Sequence, residues 1–150
     1  MLIERIEPKW IDAFAETFSL CGVQPGDECA VLSESQSRRV NVDLSELALA
    51  RLGARVFHVA VPTPPQSAPV PVRSTGASDA IGGRRAVIDA LKQVVLVADC
   101  TVEGLLHSPE LPEILGDGAR VLMVSNEHPE LLERLTPDPC LLYTSPSPRD

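Results

Sequence analysis

Between Val94 and Glu113 the chain reads VVLVADCTVEGLLHSPELPE, which brings Asp99, Cys100, His107, Glu110 and Glu113 into one short stretch. His107 is the side chain of first interest. Imidazole has the unperturbed pKa closest to neutrality, so a histidine at the rim of a ligand crevice is a natural proton carrier. Ser108 and Pro109 suit a helix start, where unpaired backbone amides favour an anionic ligand group. The apolar run Val94–Val97 stops at Asp99, which predicts that Asp99 lies at the same rim.

Metal chemistry is the second option these residue types raise. His107, Glu110, Glu113, His128 and Glu130 are all of ligating type, and Glu110 and Glu113 are spaced to share a helix face. His128 lies beyond a further strand, however, and Glu127 and Glu130 are placed to favour a helix N-terminus. A complete metal site inside the chain is not expected. No GxSxG, P-loop or HExxH pattern occurs, and Gly82-Gly83 is not a dinucleotide fingerprint.

The elements that must position His107 follow from apolar spacing. Trp10, Ile11, Phe14, Phe18 and Cys21 form one stripe and predict a helix over Pro8–Cys21, with Trp10 as a core or domain-interface anchor. A strand over Glu28–Ser33 and a helix over Ser37–Leu52 follow. Arg38-Arg39 is read as a solvated pair, with a phosphate contact as the other option. Ala54–Val61 is the second strand, and His58 within it is read as a satisfied or edge histidine. Ala80–Gln93 is predicted helical, with Ile81, Ala86, Val87, Ala90 and Leu91 buried. Val94–Ala98 is the third strand, a short apolar run bounded by polar residues. A helix over Pro109–Leu115, a strand over Arg120–Ser125 and a last helix from about Asn126 to Leu135 complete the series, with Asn126 or a neighbour as its cap.

This alternation predicts an α/β fold of three layers, a mostly parallel four-stranded sheet flanked by helices. Pro62–Asp79 interrupts it with five prolines in ten residues. Such a segment lacks ladder donors and reads as an extended loop, either a lid over the crevice or a passive connection.

Bulk properties exclude some functions. The 150 residues allow one domain with a real core. A net charge of −8 argues against a nucleic-acid partner, which needs a basic face. No apolar run reaches the roughly 18–20 residues of a membrane span, and no secretory signal is visible, so a cytoplasmic location is expected. Cysteines at 21, 29, 100 and 140 form no CxxC pair and are read as reduced thiols. A homo-oligomer is left open.

From Cys140 the chain reads CLLYTSPSPRD, which holds the only tyrosine and resembles the in-frame translation of a sequencing-library adapter. The expectation is therefore an N-terminal α/β domain over residues 1–139 of a longer enzyme, followed by a foreign tail over 140–150.

LVADCTVEGLLHSPELPEIL followed by GARVLMVSNEHPELLERL, together with LGARVFHVAVP, resembles the front domain of the 2,5-dihydroxypyridine 5,6-dioxygenase family. That fold is shared with aminopeptidase T-type metallopeptidases. The resemblance runs from about Trp10 to Pro139 and is most specific at LLHSPE. It implies a non-haem Fe(II) enzyme that opens a dihydroxypyridine or similar small aromatic with O₂, its metal ligands lying in a C-terminal domain outside this chain. It also implies that His107 is the base that takes a proton from the substrate hydroxyl. On this reading the chain alone binds no iron and turns over nothing. A metal-dependent aminopeptidase parent and a non-catalytic α/β binding module are the alternatives.

Overall fold

The computed structural model describes residues 5–65, 76–124 and 126–130. Most of the Pro-rich connection, the expected last helix beyond Glu130 and the segment 140–150 lie outside the described residues. The elements in chain order are α1 (Pro8–Leu20), β1 (Glu28–Glu34), α2 (Arg39–Arg51), β2 (Arg55–Val61), α3 (Arg85–Lys92), β3 (Leu96–Asp99), α4 (Leu111–Gly116) and β4 (Arg120–Met123). The four strands form one sheet in the order β2-β1-β3-β4, and every pair is parallel.

Strand periodicity divides the core into two layers. Side chains two apart share a face, so Cys29 and Val31 of β1 and Leu96 and Ala98 of β3 pack against Phe14, Phe18, Leu44 and Leu49 of α1 and α2. Ala30, Leu32 and Val97 turn the other way, onto Ile88, Leu91, Ile114 and Leu105. Phe14, Phe18, Leu32, Leu91 and Leu105 are wholly excluded from solvent. Each such side chain contributes about 1.5–3 kcal/mol through removal of apolar surface from water. The middle strands β1 and β3 are covered on both sides, which is why they read as apolar runs rather than alternations.

Strand order also locates the edge that matters. The chain runs from β1 outward to β2 and then returns past β1 to β3, so the connection reverses direction between β1 and β3. Open α/β sheets hold ligands beyond the carboxyl ends of strands at such a point. Register places Leu32 beside Asp99 and Asp99 beside Met123, so the carboxyl ends of β1, β3 and β4 share one edge.

Several predicted boundaries are corrected. The third helix starts at Arg85 rather than Ala80. Turn bonds from Gly82 N–H to the Asp79 carbonyl and from Arg84 N–H to the Ile81 carbonyl replace its expected first turn, as two adjacent glycines disfavour helix by about 1 kcal/mol each. The shift re-phases its face: Ile88 is buried and Ala86 is exposed, whereas Ile81 is buried in the turn before it. β3 begins at Leu96 and takes in Asp99, β4 ends at Met123, and α4 has only six residues.

Candidate functional site

Asp99 does not face the crevice. It is fully buried, and its carboxylate organises the loop that follows. Oδ1 accepts the Thr101 amide at 3.0 Å and the Thr101 hydroxyl at 2.6 Å, and Oδ2 accepts the Leu105 amide at 2.8 Å. Thr101 Oγ1 in turn accepts the Gly104 amide at 3.1 Å. Burial raises the Asp99 pKa above its ordinary value, while the hydrogen bonds from Thr101 and Leu105 pull it back and the nearby Glu34 charge adds to the rise. Asp99 does end β3 at the expected edge, but its carboxyl turns inward and supplies acceptors to loop amides that would otherwise be buried unpaired.

The reversal point between β1 and β3 is stitched together. Ser37 Oγ donates to the Cys100 carbonyl at 2.6 Å and accepts the Glu34 amide at 2.8 Å. The nearly buried Glu34 reaches across with Oε2 to the Val102 amide at 3.2 Å. Cys100 lies beneath this seam, and burial pushes its thiol up to about 12. An open cleft of about 520 Å³, lined by Ser33, Glu34, Ser37, Arg39 and Val61, adjoins this seam on the β2 side, and His107 is not among the residues that line it.

His107 stands in the loop that leaves the carboxyl end of β3. Its neighbours Leu105 and Ser108 are buried, whereas Leu106 is 58% exposed and His107 is exposed beside it. One neighbouring segment, residues 76–78, holds this crest. The His107 amide donates to the Gly76 carbonyl, and Ser108 Oγ donates to the Ser78 carbonyl at 2.7 Å. Gly76 and Ser78 donate back to the carbonyls of Glu103 and Gly104 at 2.6 and 2.9 Å. The backbone under the ring is therefore pinned before and after His107 by that segment, and among the described residues no group hydrogen-bonds the ring nitrogens. The helix start expected at Ser108-Pro109 is displaced to Leu111, with no side-chain cap bond. Six residues generate little dipole, so α4 adds no anion-favouring terminus at His107.

The remaining candidates are scattered. Glu113 pairs with Arg85 and with Lys92 on the surface, and those two cations lower its pKa. His58 Nε2 lies 2.5 Å from Glu46 on the edge strand β2, the satisfied arrangement expected of it. Arg39 pairs with Asp43 one turn along α2. His128 stands edge-on to Trp10 with ring centroids 5.3 Å apart, and Asn126 Oδ1 accepts the Arg38 amide at 2.6 Å. Among the described residues no three His, Cys, Asp or Glu side chains gather where a metal ion could sit. The residues that sequence reasoning missed are Gly76, Ser78, Glu34 and Ser37. Ser37 and Glu34 carried a weak signal, polar groups at a strand end. Gly76 and Ser78 carried none, since their partners are about thirty residues away.

Comparison with known proteins gives this geometry a context. Residues 9–143 match the model of the family described as NicX, 2,5-dihydroxypyridine 5,6-dioxygenase. A curated 2,5-dihydroxypyridine 5,6-dioxygenase from Pseudomonas putida is 32% identical over 126 residues, 83% of this chain and 35% of the relative. The solved structure of 2,5-dihydroxypyridine dioxygenase from Pseudomonas putida KT2440 superposes with a TM-score of 0.76 at 30% identity, over 86% of this chain and 37% of that one. The chain thus spans about a third of the length of these relatives. With its all-parallel α/β sheet and a family match over most of its residues, the chain belongs to the 2,5-dihydroxypyridine 5,6-dioxygenase family.

Proposed function

We propose that this chain is the front part of a cytoplasmic ring-opening dioxygenase acting with O₂ on a dihydroxypyridine or a similar small aromatic. In this reading His107 takes the proton from a hydroxyl of the bound substrate. One observation carries it: in a chain of this family, an exposed imidazole stands on a crest whose backbone is fixed by a neighbouring segment, at the carboxyl end of a central strand. Fixing the acceptor before substrate arrives removes an entropic cost from the proton-transfer step. The proton moves from the hydroxyl oxygen to a ring nitrogen, leaving an anionic oxygen that feeds electron density into the aromatic ring. That makes the ring a better reductant towards O₂.

In the whole enzyme, meaning this chain together with the further length its relatives carry, Fe(II) is assigned to residues outside those described. The described residues offer no cluster of three ligating side chains, and the part proposed for them is the proton transfer. Leu106, exposed beside His107, supplies apolar surface that can exclude water from the proton transfer once another surface covers it. The test is turnover of 2,5-dihydroxypyridine by the whole enzyme. His107→Ala should lower kcat by about 10²–10⁴-fold, the usual contribution of a positioned general base. Turnover unchanged from wild type would remove His107 from the mechanism.

A further inference from the structure

The far end of the Pro-rich connection passes directly under the imidazole. Gly76 is buried with φ +77. A Cβ at this position would lie 3.1 Å from His107 Cδ2, 3.8 Å from Nε2 and 3.3 Å from Leu106 Cβ. The bare Cα is therefore the floor on which the ring rests. Segment 76–78 is held alongside 103–108 by the Gly76–Glu103, His107–Gly76, Ser78–Gly104 and Ser108–Ser78 hydrogen bonds. The floor cannot sink away from the ring without breaking this ladder, and Ser78 and Ser108 at its far end are both buried.

We propose that Gly76 is a positioning residue for His107, its missing side chain forming the seat that sets the pose of the imidazole. The catalytic consequence rests on the proton-transfer role proposed above; the seat itself does not. A Cβ at 76 presses on the ring so that it must give by a few tenths of an ångström, and since a 1 Å misplacement of a reacting group costs about 10²-fold, such a shift of the proton acceptor should cost on the order of 10-fold in rate. The competing explanation is that Gly76 serves only its left-handed backbone. Two substitutions separate these. Asparagine tolerates positive φ but carries a Cβ, whereas alanine neither tolerates it well nor leaves the space.

The experiment begins with proton NMR of the 150-residue chain, wild type, Gly76→Asn and Gly76→Ala. Wild type should show a nuclear Overhauser contact between the Gly76 Hα protons and His107 Hδ2. Both variants should shift the His107 ring resonances, while the Phe14 and Phe18 ring resonances of the distant core stay in place. In the whole enzyme both should lower kcat by about 10-fold with KM within about twofold. Absence of the wild-type contact, or a Gly76→Asn protein with His107 resonances and kcat of wild type, would overturn the seat. If either substitution prevents folding, Ser108→Ala removes the Ser108–Ser78 bond at the end of the ladder without adding bulk, and it too should move the His107 ring signals; unmoved signals count against the proposal. A His107→Ala enzyme of full activity would defeat the catalytic reading while leaving the NMR result for the seat intact.

Discussion

Removing the Asp99 side chain is the sharpest structural perturbation available. In Asp99→Ala the Thr101 and Leu105 amides lose their acceptors at 3.0 and 2.8 Å, and the Thr101 hydroxyl loses one at 2.6 Å. The hydroxyl can rotate to another partner, but the two amides are fixed by the backbone and stay buried. At about 1–2 kcal/mol for each of the two orphaned amides, less the relief of no longer burying an acid, the net loss is about 2 kcal/mol. With a urea m-value of about 1.5 kcal/mol/M the unfolding midpoint should fall by about 1.3 M. Asp99→Asn resembles the protonated acid in shape and keeps one acceptor, so it should cost on the order of 1 kcal/mol. Sign follows from the raised pKa. The folded state holds the Asp99 proton more tightly than the unfolded chain does, so the contribution of this carboxyl is fully present below its ordinary value of 3.8 and is lost as pH rises through the folded value. That segment of the pH–stability curve should flatten in Asp99→Asn. Hydrogen exchange gives the local readout: the Leu105 and Thr101 amides should lose protection in Asp99→Ala well before the core strands do. An Asp99→Ala protein with an unchanged urea midpoint and a protected Leu105 amide would show that the loop under His107 is not held by Asp99.

Other consequences follow from the same seam. Cys100 and Cys29, pushed up by burial to about 12 and about 11, should resist alkylation in the folded chain at pH 8. Burial raises the Cys21 thiol as well, but Cys21 is only half-buried whereas Cys100 is fully buried, so mass spectrometry should find Cys21 labelled before Cys100; equal labelling would contradict the packing. Gly104 has φ +82, and a Cβ there would collide with Met123 Cε. Gly104→Ala should therefore destabilise by about 1–2 kcal/mol, chiefly through the left-handed backbone, because the Met123 methyl is the far end of a flexible side chain and can swing aside; an unchanged midpoint of thermal unfolding would contradict this.

The fold was legible because apolar spacing and strand burial obey the same geometry. Phe14 and Phe18 mark one helix face, and Val94–Val97 marks a strand covered on both sides; neither needs a distant partner to be recognised. The third helix was misjudged at its front because Ile81 has the right periodicity for the helix, yet its burial comes from a turn that Gly82 and Gly83 impose. Asp99 was misread for a different reason. An acid after an apolar run can end a strand at the surface or bend back to serve its own loop, and only the positions of Thr101 and Leu105 decide between them. The histidine crest was half legible. Its place after β3 follows from sequence order, but its support from Gly76 and Ser78 depends on where an eighteen-residue connection returns, which local spacing does not encode.

The most direct measurement of the central claim is the ultraviolet absorption of 2,5-dihydroxypyridine bound to the whole enzyme without oxygen. If His107 accepts the substrate proton, wild type should show the band of the deprotonated ring at a pH where the free compound is neutral, and His107→Ala should show the neutral band. An identical deprotonated spectrum in both would contradict the account.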